Sequence, residues 1–384
     1  MRSLQNHGLA ICYASIAVSV SLSGSARADI DPASGIDFVT IGALGNAPWL
    51  GDGTAGDRAV GRGRVDYQYN IGRLEVTTAQ WVEFFNAAYD RPANDRIPHL
   101  AVPDFWGAVG ATPNMPGGRR WSVPTGNENR FVGNISWRMA AIYCNWLCNG
   151  KSTARSAFLN GAYDVSTFGW TGDLGDIFTD QFAHNPGATY WIPTWDEWLK
   201  AAHYDPAKQN SDGSMGGYWA YSNSSNTAAT SGPPGLGQAN YGWESNNFPG
   251  HDPLGVLLGA YPQTQSPWGL FDTAGGTTEW TESVLETIPS DGRRYRYLEG
   301  SHWGRSGNSL SDLVVNGGTA EFPQVATFAD HHMQMTKSAA DGRIVTEVKT
   351  LSKSARQEEL LRMLGGTPEL FLPSQLPSSK EEGL

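Results

Sequence analysis

Asp272 and Glu279 stand in the stretch GLFDTAGGTTEW, residues 269–280, among Gly269, Gly275 and Gly276 and just ahead of Trp280. Glycine opens backbone conformations closed to other residues, so this segment can be drawn tight. Carboxylate oxygens are what a hard cation or an acid–base step requires. A helix-poor fold that ties its own loops together would use the same residues, and the stretch alone leaves both readings open. Cys144 and Cys148 are the next candidates, in SWRMAAIYCNWLCNG. Four residues apart on a helix, their Cβ atoms lie about 5–6 Å apart. A disulfide needs roughly 3.5–4.5 Å. Two core thiols are therefore expected, and a zinc site would need further ligands.

Other chemistry is set aside on pattern. His99, His184, His203, His251 and His302 are spread singly, and no H-E-x-x-H occurs. Gly150-Lys151-Ser152 imitates the end of a phosphate loop, but Asn145 stands where its first glycine belongs and the tripeptide closes a helix.

The elements that position these groups follow from local signals. DFVTIG (37–42) and VDYQYNIG (65–72) read as strands. Thr77 with Gln80 forms a capping box ahead of Trp81, Phe84, Phe85 and Ala88. Ser136 caps a second helix, ended by Asn149-Gly150, whose inner face is Trp137, Ala140, Ala141, Cys144, Leu147 and Cys148. Thr194 with Glu197 forms another capping box ahead of Trp198, Leu199, Ala201 and Ala202. Between them lie Pro/Gly/Asn-rich tracts, notably 90–133 and 205–265. The chain has 384 residues, 17% charged, with Gly 46 and Trp 15. The charged share is low against a usual figure of about 25%. This is the profile of ordered loops pinned by aromatics, and most of the tryptophans are expected in the core.

Residues 1–28 carry Arg2, the apolar run LAICYASIAVSVSL and Ala26-Arg27-Ala28 before Asp29. That is the pattern of a secretory signal peptide, too short in its apolar part for a bilayer span of about 20 residues. Its removal takes Arg2 and Arg27 and no acid, so the net charge of −11 becomes −13. An exported, periplasmic or extracellular protein is expected, with no stable membrane anchor after cleavage. The acidic balance disfavours nucleic acid as a partner.

Five landmarks, in order, resemble the formylglycine-generating enzyme family, the sulfatase-modifying-factor domains. They are YQYNIGRLEVTTAQWVEFFNA, NISWRMAAIYCNWLCNG, ATYWIPTWDEWLKAAHYDP, GLFDTAGGTTEW and RYRYLEGSHW, within about residues 36–310. The resemblance implies an α+β, C-type-lectin-like fold with low regular secondary structure and long ordered loops. It also implies an oxidase that converts a sulfatase cysteine to formylglycine on copper held by two cysteines after the last landmark. Here that region reads GSHWGRSGNSLSDL, without cysteine, and His302 and Ser306 occupy the family's active-site region. A soft Cu(I) centre needs thiolates, so copper is not expected. The resemblance further implies a structural calcium at the fourth landmark. Glu279 keeps its ligand position and Gly276 replaces the asparagine, which should weaken the site.

Beyond Trp303 there is no tryptophan, and beyond Tyr297 no tyrosine. Residues 322–366, FPQVATFADHHMQMTKSAADGRIVTEVKTLSKSARQEELLRMLGG, resemble the C-terminal end of RecN-type DNA repair ATPases and imply a strand pair around Asp341-Gly342 and a helix. No phosphate loop accompanies them, so ATP hydrolysis is not expected. The organisation read from sequence is a signal segment (1–28), a sulfatase-modifying-factor-like domain (29–315) and a RecN-like fragment (316–384). The fragment is a fusion or a join between two reading frames, and the join implies an unpaired sheet edge. The functional expectation is a non-catalytic binding or envelope module for an extracytoplasmic peptide or glycan. The alternatives are the oxidase itself and a fragment of a repair ATPase.

Overall fold

The computed structural model describes residues 29–51, 59–110, 120–171, 177–242, 248, 250–285, 294–300, 319–321, 331–332 and 335–338. All of them fall in one compact unit spanning Met1–Ala339. The first part of the chain forms β1 (Asp29–Ile30), β2 (Asp37–Ile41), β3 (Tyr69–Gly72) and α1 (Thr78–Ala88). Then come β4 (Val109–Gly110), β5 (Trp121–Ser122), α2 (Trp137–Cys148) and α3 (Ser156–Leu159). The middle holds β6 (Trp170–Thr171), β7 (Ile177–Phe178), β8 (Tyr190–Trp191) and α4 (Trp195–His203). The ribbon of β9 (Tyr204–Gln209) and β10 (Met215–Tyr218) follows. Last come β11 (Thr278–Leu285), β12 (Tyr295–Glu299), β13 (Thr319–Glu321), β14 (His331–His332) and β15 (Thr336–Ser338). This is an α+β fold of low regular content, with long ordered loops between its elements.

One sheet has the order β1-β2-β3-β15-β8 and a second the order β13-β12-β11-β14. In the second, β11 and β14 run parallel. The two capping boxes form as the sequence indicates. Gln80 N donates to Thr77 Oγ1 and Thr77 N to Gln80 Oε1 at α1. Glu197 N donates to Thr194 Oγ1 and Thr194 N to Glu197 Oε2 at α4.

Helix α2 differs from the one-sided helix expected. Every residue from Trp137 to Leu147 is buried, Arg138 and Asn145 included. It is the central strut of the main core, packed between α1, α3 and β8, so it has no solvent face. Its polar members are satisfied in place. Arg138 pairs with buried Asp180 through bonds of 2.6 and 2.8 Å, and Asn145 donates to the carbonyls of Phe158 and Tyr163. The strand read over 65–72 is confined to Tyr69–Gly72, because only there does β2 run alongside.

Among the described residues the tail leaves no open edge between β3 and β8 of the kind expected of a join. Strand β15 comes from the segment after residue 321 and sits inside the first sheet, antiparallel to β3 on one side and β8 on the other. The strand pair around Asp341-Gly342 and the helix after it lie outside the described residues.

Candidate functional site

The loop ahead of β11 is a tight wrap. Gly275 has φ +87°, and a Cβ there would lie 2.8 Å from the Asn240 carbonyl oxygen, so a side chain is excluded twice over. The next residue, Gly276, donates its N–H to that same oxygen at 2.8 Å. Asp272 adopts φ +58°, which costs a non-glycine residue strain. Its carboxylate accepts the Gly259 N–H at 2.6 Å, and that bond holds the turn. Trp280 is fully buried and donates to the Ile135 carbonyl at 2.8 Å, locking β11 to the start of α2.

This wrap brings three acids from two distant segments together. Glu75 lies between β3 and the cap of α1, is buried, and accepts from Thr277 Oγ1 at 3.1 Å. Glu279 is buried on β11 and accepts a hydrogen bond from the indole N–H of Trp198 on α4. Burial, the neighbouring Glu279 charge and then Asp272 push the Glu75 carboxyl well above its ordinary range. Burial pushes Asp272 up to about 6, against the pull of its bond from Gly259. A cleft opens beside them, lined among others by Glu75, Asp272, Asn240, Tyr261, Gly276 and Thr277. It is sized for an ion or a water more than for an organic ligand.

Glu75, Asp272, Asn240 and Thr277 bring oxygen donors of the kind a hard cation takes to a cleft otherwise lined by apolar side chains such as Phe131, Val256 and Leu257. Clustered carboxylates held out of water favour either a proton or a cation among them. Among the described residues no three His, Cys, Asp or Glu side chains form a metal shell by themselves. Backbone carbonyls of the turn would have to complete the set, which calcium accepts and zinc does not.

The profile of the sulfatase-modifying factor enzyme 1-like domain matches residues 45–327, about three quarters of the chain. The chain belongs to this family. No curated protein matches it. Among solved structures it is similar to CarF, at 20% identity and a TM-score of 0.44 over 79% of this chain and 99% of that one. Variable protein 1 of Treponema denticola gives 16% identity and 0.43 over 79% and 95%, and PvdO from Pseudomonas aeruginosa 14% and 0.39 over the same shares. Nothing in these comparisons supports the RecN resemblance of residues 322–366.

Of the residues singled out from sequence, Glu279 and Gly276 belong to the acid loop, while His302 and Ser306 lie outside the described residues. Both thiols are free. Cys144 is buried on α2 with its sulfur 3.8 Å from that of Met335, and Cys148 exchanges hydrogen bonds with the backbone of Tyr190. Burial pushes both thiol pKa values up.

Sequence reasoning on this sulfatase-modifying-factor-like domain passed over Glu75 and His184. Glu75 was visible in the first landmark as the acid of EVT, and only the fold shows that it meets the fourth. His184 Nδ1 lies 3.0 Å from Glu282 Oε1, an atom that also accepts the buried Tyr163 hydroxyl at 2.8 Å. The His184 ring stacks on Trp191 with centroids 4.4 Å apart. Burial opposes the imidazolium, but the Glu282 charge and hydrogen bond outweigh it and raise the His184 pKa. No local pattern links His184 to Glu282, so no sequence signal could have paired them.

Proposed function

We propose that the chain is an exported member of the sulfatase-modifying-factor family that binds an extracytoplasmic peptide or glycan and does not oxidise a sulfatase cysteine. A structural calcium at the acid cleft belongs to the same reading. The observation that carries it is the position of sulfur. Beyond residue 28 the only cysteines are Cys144 and Cys148, both on α2, one buried in the core and the other half-buried and tied to Tyr190. A copper oxidase of the kind the family contains needs a pair of ionised soft ligands that a substrate can approach. Burial holds these two thiols protonated.

For calcium the fit is of two side chains. Glu75 and Asp272 line the cleft and would hold it, with carbonyl oxygens of the Gly275-Gly276 turn completing the set and Glu279 adding its charge beside Glu75. When bound, the ion would supply positive charge among the acids and tie the β3–α1 junction to β11. Export rests on the signal pattern of residues 1–28 and on the acidic charge. Among the described residues no helix is long and apolar enough to cross a membrane.

The test uses the full chain. Competition for Cu(I) against a chromophoric chelator, with oxygen uptake on a sulfatase-type cysteine peptide, should give neither tight copper binding nor turnover. Stoichiometric Cu(I) with conversion of the peptide cysteine to an aldehyde would overturn the binding-module reading. Calcium is read separately, as a rise in melting temperature over a chelator control, and no rise removes the calcium part alone.

A further inference from the structure

We propose that His184 and Arg294 form a docking point for an acidic peptide, His184 Nε2 donating to a carboxylate while Arg294 and the exposed ring of Phe182 offer charge and apolar contact beside it. This rests on the reading of the chain as a binding module and names the chemistry of what is bound. The imidazole is held in one orientation. Its ring lies nearly flat on Trp191, at 16° and 4.4 Å between centroids. Its inner nitrogen, Nδ1, is 3.0 and 3.2 Å from the two oxygens of Glu282. The same carboxylate accepts the His184 main-chain N–H at 2.6 Å, so ring and backbone are clamped together. A carboxylate accepts, hence Nδ1 carries a hydrogen and the outer nitrogen is set by that bond.

Nε2 makes no hydrogen bond among the described residues, and the side chain keeps 24% of its surface in water. Packing on Trp191 explains the stacked ring. It does not explain a buried acid spent on orienting a ring whose other nitrogen faces outward, which is how a binding histidine is supported.

The surroundings choose an anion. The groups around the ring are Glu282 from β11, Glu197 from α4 and the Tyr163 hydroxyl from the segment after α3, which donates to Glu282. Arg296 of β12 donates to the carbonyls of Glu282 and Gln181. Burial opposes the imidazolium, and Glu282 with Glu197 outweighs it, so Nε2 is a charged donor more readily than in a free histidine. A transition metal, which needs the neutral ring, is disfavoured for the same reason. Two residues back, Phe182 is exposed and carries the Arg294 guanidinium 5.2 Å from its ring centre. Arg294 forms no ion pair among the described residues, and its hydrogen bond goes to the Phe178 carbonyl at 3.5 Å. In a chain of net charge −11, an unneutralised arginine next to a protonated histidine is a local exception. Phe182 and Ala183, the exposed residues beside His184, bring no polar side-chain atoms. A sugar ring would leave its hydroxyls unmet there, whereas an acidic residue followed by an apolar one would use both features.

The test uses the full chain and a labelled, capped peptide GEFEFG, with GQFQFG as its uncharged analogue, read by anisotropy at pH 5.5, 7 and 8.5. The acidic peptide should bind at pH 5.5 and weaken by roughly tenfold or more by pH 8.5, as Nε2 loses its proton. The analogue should bind about tenfold more weakly at pH 5.5. His184→Asn keeps a donor to Glu282 where Nδ1 stood and lacks Nε2, so it should bind about tenfold more weakly and lose the pH dependence. Arg294→Gln should weaken binding severalfold and keep the pH dependence. No binding by the wild type, equal binding of the two peptides, or a His184→Asn variant that matches the wild type at every pH overturns the proposal. Should His184→Asn not fold, the wild-type pH profile and Arg294→Gln decide, and a flat profile or an unaltered affinity overturns it. Trigalacturonate is run alongside, and its binding in place of the peptide overturns the peptide as occupant. Copper binding and oxygen uptake are read independently, so failure here leaves the absence of oxidase chemistry standing.

Discussion

Replacing Glu75 by glutamine changes sign with calcium, and that makes it the sharpest probe of the acid cleft. Glutamine keeps the oxygen that accepts from Thr277 Oγ1 at 3.1 Å. It removes the carboxyl whose pKa is raised by burial, by Glu279 and by Asp272, and sets an amide donor beside Glu279. Glutamine needs no proton to sit beside Glu279, whereas at neutral pH the Glu75 carboxyl must take one up on folding. In chelator the variant should therefore be more stable than the wild type, by about 1.4 kcal/mol for each pH unit between the ordinary and the folded pKa. With calcium at about a hundred times its dissociation constant, the wild type gains about 2.7 kcal/mol. A domain of this size shifts by roughly 2–4 °C per kcal/mol, which places the wild-type rise near 5–10 °C. The variant, one ligand short, should lose most of that rise, and the two melting curves should cross over between chelator and calcium. Differential scanning calorimetry in both buffers reads the result. A variant less stable than the wild type in chelator would refute the crowding of acids, and a wild type indifferent to calcium would refute the cation.

Arg138→Ala leaves Asp180 buried and unpaired, so urea unfolding should show a loss of about 3–5 kcal/mol, and Arg138→Met with Asp180→Leu should recover much of it. His184 has a folded pKa above its ordinary value, so its contribution is fully present below that value and disappears as pH rises through the folded pKa. The melting-temperature gap between wild type and His184→Asn should therefore be larger at pH 6 than at pH 8.5, and a constant gap would show that the ring acts only by packing on Trp191. Cys144 and Cys148 should resist a thiol reagent in the native protein and react at the rate of global unfolding. Thr336→Val should raise stability by about 1–3 kcal/mol by removing a buried hydroxyl that lacks a partner, and a loss would show that the hydroxyl is bonded in solution.

What could be read from sequence was whatever is local. The capping boxes at Thr77 and Thr194 are three-residue devices, and both form. The i, i+4 spacing of Cys144 and Cys148 favoured two thiols over a bridge, and both thiols are free. Most of the tryptophans were expected in the core, and Trp81, Trp137, Trp146, Trp195, Trp198 and Trp280 are buried there. The full burial of α2 was hidden because Arg138 and Asn145 look like a solvent face. Their partners, Asp180 and the carbonyls of Phe158 and Tyr163, are 13 to 42 residues away. Glu75 and Glu279 are joined only by a wrap whose geometry depends on Gly275 lying against Asn240. Likewise β15 is three residues of ordinary composition, and nothing in MTKS announces a place between β3 and β8.

The interior as described is rich in acid. Glu75, Asp180, Glu197, Glu279, Glu282 and Glu299 are buried, against Arg138, Lys200 and Arg296 as the buried groups of strong positive charge. Some of these acids have local roles. Asp180 neutralises Arg138, Glu282 receives His184, and Glu197 closes a capping box and takes the hydroxyl of Tyr67 at 2.8 Å. A role of that kind accounts for a single buried carboxylate, because donors around it replace water. It does not account for Glu75 and Glu279 pressed together with Asp272 close by, since each charge raises the cost of the others. A fold kept only for its shape would gain by exchanging one of them for glutamine. Their joint presence on two landmarks more than 200 residues apart is what a bound cation would explain, and a shared proton would not require the third acid.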